Sequence, residues 1–144
     1  MITIFTGRKK NEIAEYIKNN YDDGIIKPFN LKYYPEAYLH PLDVLEQTDK
    51  YIKEAENKHI YICTFSEALF LRILRRIREY TNRNEQYMKD NIIHFKLKPE
   101  HIEIHHIFSE KCIIKSTIIR TNEKGEFIDR WPDGFFIWRL EELI

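Results

Sequence analysis

The chain has 144 residues and 17.6 kDa, with 43% hydrophobic and 14% aromatic residues and only 4 Gly and 5 Pro. One domain's worth of material with that much apolar mass can bury a core, which excludes disordered, collagen-like and low-complexity classes. Lys+Arg and Asp+Glu both number 23, so bulk charge gives no drive towards nucleic acid or an anionic membrane. No run of about 18 uncharged apolar residues is present, so no membrane span is expected. Charge enters at Arg8, where a signal peptide needs its apolar stretch. Cys63 and Cys112 sit in apolar runs and read as reduced core thiols. These features predict a small cytoplasmic α/β domain.

In chain order, Met1 to Thr6 reads as a short strand ending at Gly7. Ile13, Tyr16 and Ile17 then recur at helical spacing, which predicts a helix over 9–20. Tyr21-Asp22-Asp23-Gly24 is a turn signal. A second strand is expected within 25–34, with Pro28 at its beginning or outside it. Leu42, Leu45, Tyr51, Ile52 and Ala55 predict a helix over 41–57, with Pro41 near its first turn. His59 to Cys63 is a continuous apolar run, as a buried parallel strand gives. A capping residue, Thr64 or Ser66, opens a long helix through Tyr80. The ten residues Thr81 to Asp90 are polar and read as a surface connection. Beyond Asn91 the pattern turns to alternation over 101–108, a β-branched run over 112–120 and a turn at Asn122-Glu123-Lys124-Gly125. One domain is therefore expected, with an α/β part over 1–80 and an antiparallel part over 91–138.

Three collinear segments resemble one family. Pro35-Glu36-Ala37-Tyr38-Leu39-His40-Pro41 is similar to the stretch P-E-x-H-L-H-P that follows the Walker B strand in ABC-type ATPases of the OLD-like and AAA-like group. Ile60 to Leu69 resembles their switch-histidine strand and helix, T-H-S-E-x-L, here Thr64-Phe65-Ser66-Glu67-Ala68-Leu69. The segment from Pro99 ends in Trp131-Pro132-Asp133-Gly134-Phe135-Phe136, which resembles the W-P-x-G-F-F signature of a small domain closing many such ATPases. The resemblance spans positions 31 to 136. It implies a short, mainly parallel P-loop-ATPase-like sheet flanked by helices, with an antiparallel C-terminal section.

The chemical parts of the family are missing. A phosphate loop needs G-x-x-x-x-G-K-[ST], because backbone N–H groups cradle the phosphates and the lysine neutralises them. Counted from Gly7, the second Gly, the Lys and the Ser/Thr fall on Glu12, Ile13 and Ala14. The two acids expected before Pro-Glu fall on Tyr33 and Tyr34, and the switch histidine falls on Phe65. No Ser-Gly-Gly signature is present. The resemblance thus implies a miniature, non-catalytic relative without a cofactor.

Several residues carry two readings each. In the family, Tyr38 and His40 lie in a loop at the dimer interface, whereas locally His40 can simply start a helix. Glu36 is the surviving acid of the degenerate site, but a lone carboxylate makes a poor catalyst. His101, His105 and His106 invite a metal reading. However, His101 and His105 would share a strand face about 13 Å apart, too far for one ion without a bend, so half-exposed strand positions are expected for all three. Arg72, Arg75 and Arg76 make a basic helix face that reads either as a solvated face, with pairing such as Arg75–Glu79, or as an anion-binding surface. Trp131, Phe135 and Phe136 are split between core packing and a protein-binding surface. Ser66 next to Glu67 reads as a cap rather than a nucleophile.

The expected function is a pseudo-ATPase protein-interaction or regulatory module, tied by family analogy to phage defence or DNA transactions. Its partner would be a full-length ATPase or a second copy. An alternative is a subunit that binds ATP with Mg through Gly7, Arg8, Lys9, Lys10 and Glu36 and completes an active site in trans. A second is a nucleic-acid-binding protein that uses the Arg-rich helix.

Overall fold

The run Ile2–Gly7 (β1) is buried at all six positions, because strands flank it on both sides and helices cover both faces. The computed structural model describes residues 1–21, 30–82 and 95–132. After β1 come α1 (Lys10–Asn20), β2 (Leu31–Tyr33), a short 3-10 turn (Pro35–Ala37), α2 (Pro41–Glu54), β3 (Ile60–Cys63) and α3 (Glu67–Thr81). A second 3-10 turn (Pro99–His101) leads into β4 (Ile102–Glu110) and β5 (Ile113–Ile119).

The five strands form one sheet in the order β2-β3-β1-β4-β5. The first four are parallel, and β5 alone runs antiparallel, against β4. The fold is therefore α/β with a mostly parallel mixed sheet. Both expected parts share it, since β4 pairs along the whole of β1, from Ile2 opposite Ile102 to Gly7 opposite Ile107.

Alternation along the strands sends their side chains to two faces. Ile2, Ile4, Ile60, Ile62 and Ile104 meet Val44 and Ile52 of α2 and Leu69, Phe70, Ile73 and Ile77 of α3. On the other face Phe5, Tyr61, Cys63 and Ile107 pack with Ile13 of α1. Apolar spacing of three to four along α3 brings that stripe onto the sheet, and the same stripe made the helix readable.

The structure revises several details. β2 is only three residues long, and residues 25–29 of the expected 25–34 strand lie outside the described residues. The polar connection also lies largely outside them, and Thr81 is the last residue of α3. Cys112 is not a core thiol but is exposed in the tight turn between β4 and β5, where Lys111 and Cys112 have φ of 50° and 63°. That two-residue connection forces a left-handed backbone on both residues. His101 belongs to the 3-10 turn before β4, and His105 and His106 are buried on opposite faces rather than half-exposed.

Candidate functional site at the carboxyl ends of the parallel strands

In open parallel sheets, ligands bind in the crevice outside the carboxyl ends of the strands. Here that edge brings together Gly7 with Arg8, Lys9 and Lys10, the stretch Tyr33 to Glu36, and Thr64 to Ser66. These are the ends of β1, β2 and β3, which lie side by side.

Gly7 starts no loop. It is the last residue of β1, and a Cβ there would stand 2.3 Å from the Ile107 carbonyl oxygen of β4. The glycine is needed for close backbone approach within the sheet. Only Arg8 and Lys9 then separate β1 from α1, too few for a phosphate-wrapping loop of the P-loop kind. Glu12 occupies the first turn of α1 and lies 3.9 Å from the Lys9 ammonium. The Lys10 ammonium sits 4.4 Å above the centre of the Tyr34 ring.

Tyr34 has φ 43° and ψ 61°, and its N–H donates to the Cys63 carbonyl at 2.8 Å. Its ring stacks on Phe65, with centroids 5.1 Å apart and planes at 20°. Burial chiefly, with the neighbouring Cys63 and Glu36, holds the Tyr34 phenol far above its ordinary range. Burial and Glu36 push the Cys63 thiol up to about 12, so it stays protonated and unreactive.

Glu36 is committed. One carboxylate oxygen accepts the Phe65 amide at 2.6 Å and the other accepts the Thr64 hydroxyl at 2.9 Å. The Thr64 hydroxyl oxygen in turn accepts the Ser66 amide at 3.0 Å, and Ser66 caps α3 by accepting from Leu69. His40 likewise caps α2, its Nδ1 accepting the Leu42 amide at 3.2 Å. Both helix-start expectations hold. Beside them Tyr38 is 90% exposed, with Leu42 at 69% and Tyr33 at 61%.

Two of the arginines of α3, Arg72 and Arg76, face α2, while Arg75 pairs within its own helix. Arg72 and Arg76 both bond to Asp49, Arg76 through Nε at 2.9 Å and Nη2 at 2.8 Å. Arg75 and Arg76 each bond to Glu79 at 2.7 Å, and the Arg76 guanidinium also lies 4.4 Å over the Phe95 ring. Arg72 and Arg76 therefore work as a strut between two helices, and Arg75 keeps the expected solvated i,i+4 pair with Glu79. Trp131 belongs to the core rather than the surface, against Phe127, Phe70 and His106. Phe135 and Phe136 lie outside the described residues.

A second polar cluster went unread in the sequence. The Ser116 hydroxyl donates to Tyr16 Oη at 2.8 Å, Tyr16 Oη lies 3.4 Å from His105 Nδ1, and His105 Nε2 lies 2.5 Å from Glu103. It fastens α1 to β4 and β5. Its members are up to 100 residues apart in the chain, so no local spacing announces it.

Among the described residues, no group of His, Cys, Asp and Glu is placed to hold a metal ion. No described helix is long and apolar enough to cross a membrane. Comparison with protein-family models, curated proteins and solved structures finds no match to this chain.

Proposed function

We propose that this chain is a catalytically silent, ATPase-like protein-interaction module. The observation that carries the reading is the occupied crevice: Tyr34 and Phe65 stack across it, Lys10 lies on Tyr34, and Glu36 is consumed by Thr64 and Phe65. A nucleotide would have to displace an aromatic pair and a satisfied carboxylate to reach the strand ends. Further support comes from β2 and β3, which carry the Walker B-like and switch-like segments of the resemblance and pair side by side.

Tyr33 at the end of β2, Tyr38 after the 3-10 turn and Leu42 in the first turn of α2 form the contact segment in this reading, since large exposed apolar groups make good anchors. The partner is a full-length ATPase of the resembled group, met in the cytoplasm across the surface that such ATPases use to dimerise. Equilibrium titration of a fluorescent ATP analogue with magnesium tests the silence of the crevice. No saturable binding is expected. Saturable binding that unlabelled ATP displaces favours the in-trans nucleotide subunit. Binding to nucleic acid that falls steeply with salt favours the Arg-helix reading instead.

A further inference from the structure

We infer that this protein pairs with a second copy of itself through β5, in an antiparallel register centred on Ser116. This goes beyond the reading above and does not depend on it. β5 and β2 are opposite edges of the sheet.

Three observations carry the inference. First, β5 pairs with β4 on one side, and among the described residues no strand lies along the other side between Ile114 and Ile118. Second, the pleat decides which backbone groups face outwards. Glu110 and Ile113 flank a two-residue turn and so form a hydrogen-bonded pair. Ile113, Lys115, Thr117 and Ile119 therefore turn their N–H and C=O towards β4, and Ile114, Ser116 and Ile118 turn theirs out. The next outward carbonyl, that of Arg120, already accepts the Ile128 amide at 2.8 Å. Among the described residues the open edge is thus the five residues 114–118, with Ser116 at its centre.

Third, the strand is self-complementary. Ile113-Ile114-Lys115-Ser116-Thr117-Ile118-Ile119 reads almost the same in both directions. A two-fold axis at Ser116 sets Ile114 opposite the partner's Ile118 on both sides of a Ser116 pair, on one face. On the other face it sets Lys115 opposite the partner's Thr117, so no like charges are directly opposed. A shift of two residues puts Ser116 opposite an isoleucine, and it brings either the occupied Arg120 or Cys112 of the tight turn into the pairing. Ile118, 43% exposed in the single chain, would gain a cross-strand partner. The contact is isologous and closes after two copies, which joins two five-stranded sheets into one without leading to a filament.

Sedimentation equilibrium tests the inference directly. The wild-type chain should give twice its 17.6 kDa mass at high protein concentration. Ile118→Lys should return it to the single-chain mass, with circular dichroism showing that the fold is retained. Under mild oxidation in a Cys112→Ser background, Ser116→Cys should cross-link two copies and Lys115→Cys should not. A wild-type chain that stays monomeric overturns the inference. So does a dimer that folded Ile118→Lys leaves intact, or one that Ser116→Cys fails to cross-link.

Discussion

The Glu36 carboxylate reaches across 29 positions of chain to take the Phe65 amide at 2.6 Å. This bond, with its companion to the Thr64 hydroxyl, ties the loop after β2 to the loop after β3 at the carboxyl ends of those strands. Hydrogen bonds to a charged group contribute about 1.5–3 kcal/mol each, and Thr64 is fully buried. Glu36→Ala should therefore destabilise by about 2–4 kcal/mol, because it strands a buried hydroxyl and an amide. Urea unfolding measures this. A loss below about 0.5 kcal/mol would mean that water replaces the carboxylate freely.

Gly7 makes a sharper distinction between scaffold and chemistry. A methyl group at this position meets the Ile107 carbonyl at 2.3 Å, so Gly7→Ala must push β1 and β4 apart. Overpacking of this kind costs about 1–3 kcal/mol. The variant should unfold at lower urea concentration even in the absence of nucleotide. A glycine kept for phosphate binding would leave the stability of the free protein unchanged.

The turn between β4 and β5 stores strain that a different pair of residues would release. Lys111 and Cys112 both have positive φ, which costs side-chain-bearing residues about 1–2 kcal/mol each. Asn-Gly takes this conformation readily. Lys111→Asn with Cys112→Gly should raise stability by about 1 kcal/mol or more, read as a higher thermal midpoint. An unchanged or lower midpoint would show that the turn is held without cost.

The Arg120–Asp129 pair sets an acid limb of stability. Side-chain and backbone hydrogen bonds from Arg120 hold the Asp129 carboxyl down at about 2, against about 3.9 in an unfolded chain. The folded protein therefore binds fewer protons at Asp129 than the unfolded one, so the contribution is present above about pH 4 and lost as pH falls through about 2. Asp129→Asn should flatten this part of the pH–stability curve, and added salt should shrink the effect because Arg120 is exposed. A variant with the same acid slope as the wild type would contradict the assignment.

Much of the scaffold is legible before any coordinates. The stripe through Leu69, Phe70, Ile73 and Ile77 gives α3, the apolar run Ile60 to Cys63 gives β3, and Ser66 and Pro41 mark helix starts. Local periodicity and capping carry that information. The site is less legible, because its contacts join residues far apart in sequence. Glu36 beside Thr64, Lys10 over Tyr34 and Tyr16 between Ser116 and His105 follow from strand order, which no local pattern encodes. The β4–β5 turn was hidden for another reason: Lys111-Cys112 lacks the Asn or Gly that announces such a turn. Trp131, which the sequence leaves between core packing and a protein-binding surface, is drawn into the core by Phe70 and Phe127.

Thermal unfolding with and without Mg-ATP, carried to low millimolar nucleotide, tests the central claim most directly. A ligand at about 100 times its dissociation constant stabilises by about 2.7 kcal/mol, several degrees for a chain of this size. The filled crevice predicts no shift in the midpoint. A shift of several degrees that is lost when Arg8, Lys9 and Lys10 are changed to Ala would contradict the claim and establish a nucleotide site.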